Sequence, residues 1–512
     1  MTSEYYSGWK LILLNVAVCL GTFIQILDTS IANVAIPYIA GNLSVSADQG
    51  TWVITSFAAS NAIILPLTGW LSNYFGRIRL FVWSILLFSL TSFLCGLSTS
   101  LTMLVFFRTL QGAVAGSLIP LSQSLVIACN PPEKQGSALG FWAMIVVVAP
   151  VVGPILGGYL TDVYSWPWIF YINVPLGIFS ALIVRYFLKS QETKIERLPI
   201  DWTGLCLLSF GVGCLQIMLD KGKDLDWFES NIIIGLTVVS IIALVYFVIW
   251  TRLQKYPIVD FSFFENRNFL FGTIAITGGF LVYFSSTVTT PLWLQTEQNY
   301  TPYWAGVAVA PVGIAAFFLS TTVGKYMSSI DLRYWGVISF TLFSFSLFYQ
   351  ANFTTQVSLN DIMFARFLQG FGVACFFLPL VQLSLGEIPP ARYAHAAGIF
   401  NFIRILVGSG FGTSLSIELW SRLEIFHHAR LTESLTIYRK QVTQFYDGLA
   451  NVSANFSTDV ANRVLDMQVE QQAFMLSTND MSWLGAWLFL ALIPFIFLCK
   501  RVKVSERKVV AH

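Results

Sequence analysis

Fourteen apolar runs, each near the length that crosses a bilayer, govern what this chain can fold into. Lipid offers no partner to a backbone N–H or C=O, so a spanning segment needs about 20 mostly apolar residues in a self-bonded helix. The runs lie near 11–37, 47–72, 80–98, 101–128, 136–160, 167–188, 202–219, 231–251, 269–294, 303–324, 335–351, 360–385, 396–420 and 481–499, the seventh interrupted by Gly211 and Gly213. Only 11% of the 512 residues are charged and 55% are hydrophobic, where soluble domains carry about a quarter charged. The expected fold class is therefore an all-α polytopic membrane protein. A net charge of +2, with the basic residues dispersed, gives no footprint for a nucleic-acid partner. Met1–Gly8 lacks a basic leader and no small-residue cleavage site follows the first run, so that run is expected to remain as a span. The seven cysteines, Cys19, Cys95, Cys129, Cys206, Cys214, Cys375 and Cys499, all sit in or beside apolar runs without CxxC-type spacing. Buried thiols are expected there, with neither disulfides nor a metal site.

An even number of spans puts both termini on one side, and the basic residues choose it. With the termini inside, most of the 29 Lys and Arg fall on short inner segments: Lys10, Arg77, Arg79, Lys134, Arg185, Lys189, Lys194, Arg197, Arg252, Lys255, Arg267, Lys325, Arg333, Arg392, Lys500, Arg501, Lys503, Arg507 and Lys508. Short outer loops hold only Lys221 and Lys223. That asymmetry is the positive-inside pattern, with both termini cytoplasmic. An internal repeat appears at an offset of 258 residues: Arg108-Thr-Leu-Gln111-Gly112 against Arg366-Phe-Leu-Gln369-Gly370, Pro131-Pro132 against Pro389-Pro390, and Gly140 against Gly398. Two related six-helix halves follow, over 1–190 and 261–512, with two inserted helices in 191–260. Parallel halves with substrate bound between them near the midplane are a transporter pattern. Ser421–Asp480 is a polar outer loop of unusual length, and its proline-free runs 431–449 and 458–474 are expected to be amphipathic helices.

Asp28 stands alone as a carboxylate deep in the first span. An ionised Asp there costs roughly 2.5–3.5 kcal/mol on insertion scales, so it is expected to have a partner or a task. Gln25 shares its helical face. Arg108, in the fourth span, is the natural partner, because a guanidinium stays charged and offers forked donors. A structural anchor remains the alternative for Asp28 and a fixed ion pair for Arg108. Gln25, Asn33, Gln111, Gln123, Asn401 and Arg404 are candidates for lining a substrate cavity. Arg366 has no spanning Asp to match it and is read as structural. Pro150, Gly153, Pro154, Gly157 and Gly158 make the fifth span kinkable and smooth, either to gate the cavity or simply to pack.

Leu27-Asp28-Thr29-Ser30-Ile31-Ala32-Asn33-Val34-Ala35-Ile36-Pro37 resembles the first-helix signature of fourteen-span drug:proton antiporters of the major facilitator superfamily. Ala149–Gly158 resembles their antiporter motif, and Trp166–Gly177 the opening of helix six in the EmrB/QacA branch. His427–Ser434 in the long loop is similar to the EmrB type. Gly69-Trp-Leu-Ser-Asn73-Tyr-Phe-Gly76-Arg77 resembles the superfamily's cytoplasmic loop, with Asn73 where the general pattern has Asp. The resemblance implies the major facilitator fold, proton-driven multidrug efflux of hydrophobic or amphiphilic compounds, and proton coupling through Asp28 and Arg108. It also implies a bacterial inner-membrane location and, through the EmrB-like loop, a periplasmic adaptor and an outer-membrane channel as partners.

No Walker loop, metal-ligand cluster or nucleophile elbow is present in the sequence. The chain is expected to be no enzyme and to need no cofactor, the proton gradient being its energy source. A proton-coupled importer or a specific metabolite exporter fits the same fold. A membrane enzyme acting on lipids would need convergent His, Asp or Ser residues, and the histidines are only His395, His427, His428 and His512. Should Asp28 be structural, Glu297 and Glu418 are the next coupling acids.

Overall fold

The computed structural model describes all residues except 1–5, 46, 51, 193–194, 196–198, 223–224, 256, 328, 434, 437–438, 453–457 and 502–512. Lys194, Arg197, Lys223, Lys503, Arg507 and Lys508 of the charge pattern, and Ser434 of the loop motif, lie outside the described residues. Each expected span falls on helix. The first half is α1 (Trp9–Asn42), α2 (Trp52–Phe75), α3 (Arg77–Gly96), α4 (Leu101–Cys129), α5 (Pro132–Val163) and α6 (Trp168–Gln191). The inserted pair is α7 (Trp202–Lys221) and α8 (Asn231–Leu253). The second half is α9 (Arg267–Thr296), α10 (Tyr303–Gly324), α11 (Leu332–Gln350), α12 (Leu359–Leu385), α13 (His395–Glu433) and, after the short α14 (Lys440–Val452), α15 (Thr458–Leu498). Among the described residues 12 helices are long and apolar enough to cross a membrane, or 13 with α5, which is bent by 41°. The remaining expected span, 335–351, is α11, whose Ser339, Thr341, Ser344 and Ser346 lower its hydropathy. Two of those hydroxyls turn inward on neighbouring carbonyls, Ser339 donating to Gly372 O at 2.8 Å and Ser346 to Ala365 O at 2.7 Å.

Within each half the helices meet through small residues, because dispersion and close backbone approach, not hydrophobic exclusion, drive association in lipid. At Gly112 a Cβ would collide with Ser60 Oγ and Phe57 O, so α4 lies against the backbone of α2. Across the seam between halves, Gly136 and Gly140 of α5 face Gly324 of α10, with a Cβ on Gly324 only 3.4 Å from Gly136 O. A Cβ on Gly69 of α2 would lie 3.1 Å from His395 Cα of α13, so the halves also touch at that end of the bundle. The inserted pair leans on both halves, α7 reaching α2 and α13. Ile241, Val245 and Ile249 of α8 are exposed, the lipid-facing side of a peripheral helix. Cys206 of α7 is exposed too and Cys214 is half-buried, which corrects the expectation of buried thiols. The peripheral position of α7 is the reason, since sequence could not say which of its faces meets lipid.

The segment 421–480 also differs from expectation. Instead of a loop carrying helices at 431–449 and 458–474, α13 runs on to Glu433 and α15 runs unbroken from Thr458 into the last span. Only α14 is separate. No proline occurs between Pro390 and Pro494, so nothing stops the helices at the bilayer surface. Trp420 holds the two extensions together: Ser477 donates to its carbonyl at 2.5 Å, its Nε1 donates to Thr478 Oγ1 at 2.9 Å, and the Phe474 ring packs at a tilt against its own at 4.6 Å. Farther out, His428 and Asp466 pair at 3.2 Å.

This hairpin docks on the end of α9, where Gln471 donates to Glu297 O at 2.8 Å. Burial, then the charges of Glu470 and Glu424, push the Glu297 carboxyl above its ordinary value. A carboxyl whose folded pKa is raised favours the folded form while protonated; that contribution is complete below the unfolded pKa and lost as pH rises through the folded one. Docking of the hairpin is therefore expected to loosen with rising pH just above the ordinary carboxylate range. Hydrogen exchange of the 458–475 amides checks this: Glu297→Gln should slow exchange at neutral pH and match the wild type at low pH.

Candidate functional site

Asp28 is buried in the middle of α1 and both its oxygens are occupied. Arg108 Nη1 donates to Oδ2 at 2.5 Å, while Asn173 Nδ2 and Gln111 Nε2 donate to Oδ1 at 2.8 and 3.2 Å. The side chains of Asp28 and Arg108 are 1% and 0% exposed. Close approach at Gly112, one turn from Arg108, brings the α2 backbone within reach, and Arg108 Nε donates to Val53 O at 3.0 Å. Phe57 and Phe170 lie 4.4 and 5.4 Å from the guanidinium carbon, in cation–π geometry. Gln111 Oε1 accepts from Arg108 Nη1 at 2.8 Å, and Asn173 also donates to Ser92 Oγ at 3.1 Å. Five helices of the first half, α1, α2, α3, α4 and α6, thus converge on one carboxylate. In so dry a site an ion pair holds only while both charges are paired and hydrogen-bonded.

The antiporter-like stretch of α5 lies directly against this part of α1. A Cβ on Gly153 would sit 2.5 Å from Ser30 Oγ, and one on Gly157 3.2 Å from Ile31 Cγ2. Pro154 has no N–H to offer the carbonyl four residues earlier, which is that of Pro150. Ser30 of α1 donates to this carbonyl instead, at 2.9 Å. The α5 bend is thereby tied to a residue two positions from Asp28. Gly158 is buried, and its carbonyl accepts from Thr161 at 3.1 Å.

The other expected residues are dispersed. Gln25 is buried but makes no hydrogen bond to Asp28 among the described residues, and its Oε1 is unpartnered, as is that of the buried Gln123. Asn33 is exposed. Asn401 and Arg404 are joined at 2.7 Å in α13, far along the chain from the Asp28 network. Arg366 repeats the setting of Arg108 with neutral partners: Ser286 Oγ at 2.9 Å, Gln369 Oε1 at 2.6 Å and Thr290 Oγ1. Ser286 stands 258 residues after Asp28, the repeat offset, so the second half keeps the frame and lacks the carboxylate. Glu418 pairs with Arg422 at 2.5 Å outside the network.

At the α2–α3 turn Gly76 adopts φ 89°, which a side chain rarely permits, and the Glu192 carboxylate fills the space beside it. Glu192 accepts from the backbone N–H groups of Ile78 and Arg79, both at 2.9 Å, and so caps α3. Arg77 donates to Ser124 Oγ at 3.0 Å. Asn73 is exposed, and the loop's carboxylate comes instead from beyond α6. Sequence reasoning missed the roles of Asn173, Ser92 and Glu192. Asn173 lay inside the Trp166–Gly177 motif, which was the one available signal; nothing in sequence pointed to the other two.

The fold is that of a transporter: the chain belongs to the Major Facilitator Superfamily, whose profile matches residues 18–413. Within it the chain is of the EmrB type, being 44% identical to the multidrug export protein EmrB of Escherichia coli (strain K12) over 96% of both chains. It is similarly 45% identical to the fatty acid resistance protein FarB of Neisseria gonorrhoeae over 94% of both. A bacterial homologue of the lysosomal transporter Spinster, solved inward-facing and occupied, shares the fold at a TM-score of 0.54 and 14% identity, covering 96% of this chain and 97% of that one.

Removing one partner of a buried pair strands the other, at a cost of about 3–5 kcal/mol. Arg108→Leu should therefore lower Tm sharply in detergent, and adding Asp28→Asn should restore much of the loss. A double-mutant cycle read by thermal unfolding measures the coupling; additive losses would show that the two side chains do not sense each other.

Proposed function

We propose that this protein is a proton-driven multidrug efflux antiporter, exporting hydrophobic or amphiphilic compounds by alternating access between its halves. The carrying observation is the Asp28–Arg108 pair, a carboxylate enclosed by one cation and two amides in the middle of a spanning helix. Desolvation favours the protonated acid and the guanidinium the ionised one, so any motion that separates them changes proton affinity. Such a difference between outward- and inward-facing states is what coupling requires. Ser30 links the bend of α5 to the helix that bears Asp28, so rocking at that bend would move the carboxylate against Arg108. The glycine contacts between α5 and α10 let the halves slide. The similarity to proteins named for multidrug export and fatty acid resistance supports export of greasy molecules.

The positive-inside pattern supports an inner-membrane location with both termini cytoplasmic. The α13–α15 hairpin would then stand in the periplasm as the docking element for an adaptor that leads to an outer-membrane channel. Neither ATP nor another cofactor enters this reading.

Dye efflux from proteoliposomes under an imposed pH gradient tests the proposal. Efflux should need the gradient and vanish in Asp28→Asn, whereas undiminished efflux from that variant would remove Asp28 as the coupling acid. Shortening the hairpin across 434–457 should leave gradient-driven efflux intact and abolish co-purification with the adaptor; retained co-purification would remove the docking role.

A further inference from the structure

Arg404 is the most exposed inconsistency in the interior, electrically rather than sterically. Its side chain is fully enclosed, yet only one of its three nitrogens has a partner, Nη2 donating to Asn401 Oδ1 at 2.7 Å. Nε and Nη1 donate to nothing among the described residues, and no carboxylate there lies within ion-pair distance. The fold does not demand an arginine, since the position 258 residues earlier is Val146. Arg366, the other buried cation of this half, has both terminal nitrogens satisfied by neutral oxygens. Among the described residues Arg366 lacks a partner only at Nε, whereas Arg404 lacks one at both Nε and Nη1.

Its surroundings fit an amphiphile. Phe280 and Phe377 flank the guanidinium at 4.5 and 4.8 Å from its carbon. Phe377 in turn meets Trp142 of the first half at 5.6 Å, and Trp142 is fixed by donating to Thr22 and Ser122 at 3.1 and 2.9 Å. The aromatic wall therefore crosses the seam that must part during transport. Arg404 also opens the π-helical stretch Arg404–Phe411, a rare form that is frequent at functional sites. Gly408 in that stretch approaches Phe280 Cβ so closely that an added Cβ would lie at 2.7 Å, which sets the wound segment against the same aromatic plate.

We propose that Arg404 docks the carboxylate of an anionic amphiphile, whose apolar body lies along Phe280, Phe377 and Trp142. A carboxylate supplies the acceptor oxygens that Nη1 and Nε lack and satisfies a charge that the protein leaves unbalanced. The inference deepens the export reading by naming the substrate class, and rests on it for the opening of the seam. It predicts discrimination by charge among molecules of the same shape, with neutral analogues held only by the wall.

The test is equilibrium binding to the full chain in zwitterionic nanodiscs, with empty nanodiscs as blank and no pH gradient. The probes are 2-naphthoate and 2-naphthamide at about pH 8, where a carboxylic acid is ionised. Wild type should bind the carboxylate about tenfold or more tighter than the amide. Arg404→Gln should erase that preference while leaving amide binding within about twofold. Arg404→Lys, which keeps the charge where the glutamine variant fails to fold, should weaken the carboxylate several-fold and spare the amide. Equal affinities in wild type, or a preference that survives both substitutions, would overturn the proposal. Because no gradient is applied, absence of proton-driven export would leave the binding result standing.

Discussion

A charge in lipid must be paired, and the first half of this protein is built around the place where that requirement is met. Asp28 of α1 is held by Arg108 of α4, and Arg108 in turn by Asp28 and the Val53 carbonyl. The pair in turn fixes how close α1, α2 and α4 come, because its hydrogen bonds span under about 3 Å and tolerate little slack. Glycine at 112 makes that spacing attainable. Asn173 and Gln111 complete the shell with uncharged donors, which hold the carboxylate without adding a second cation.

Proline and glycine in α5 convert a packing contact into a mechanical one. Pro154 frees a carbonyl that an ordinary helix would occupy, and a hydroxyl from the neighbouring helix takes it. A helix bent in this way is held by its neighbour, and a movement of either is felt by the other. The smooth face at Gly153 and Gly157 allows that contact, while on the side toward α10 Gly136 and Gly140 meet Gly324 backbone to backbone.

The two halves share a frame and differ in charge. Arg366 sits as Arg108 does, with Gln369 for Gln111 and Ser286 in the place of Asp28. Hydroxyls, an amide oxygen and a carbonyl hold this guanidinium, with no carboxylate among its partners. At this place in the frame only the first half carries an acid, and the second half adds Arg404 where the first has Val146.

Sequence alone determined that the chain is a bundle of spanning helices in two repeated halves with an inserted pair, because span length, charge distribution and a fixed repeat offset are local or periodic properties. It also singled out Asp28 and Arg108, since a charge in an apolar run is visible without coordinates. Tertiary structure decided what those charges meet. Asn173 joins Asp28 from 145 residues away, and Glu192 caps α3 from 113 residues away; neither spacing has a period a reader could follow. The run 421–480 looked like a loop because polarity marks departure from lipid, not departure from helix, and only the pairing of α13 with α15 shows that both helices continue. Arg404 was legible as a buried cation. That no acid among the described residues reaches it, and that it stands between two phenyl rings beside the seam, depends on which helices surround it, and no single stretch of sequence carries that information.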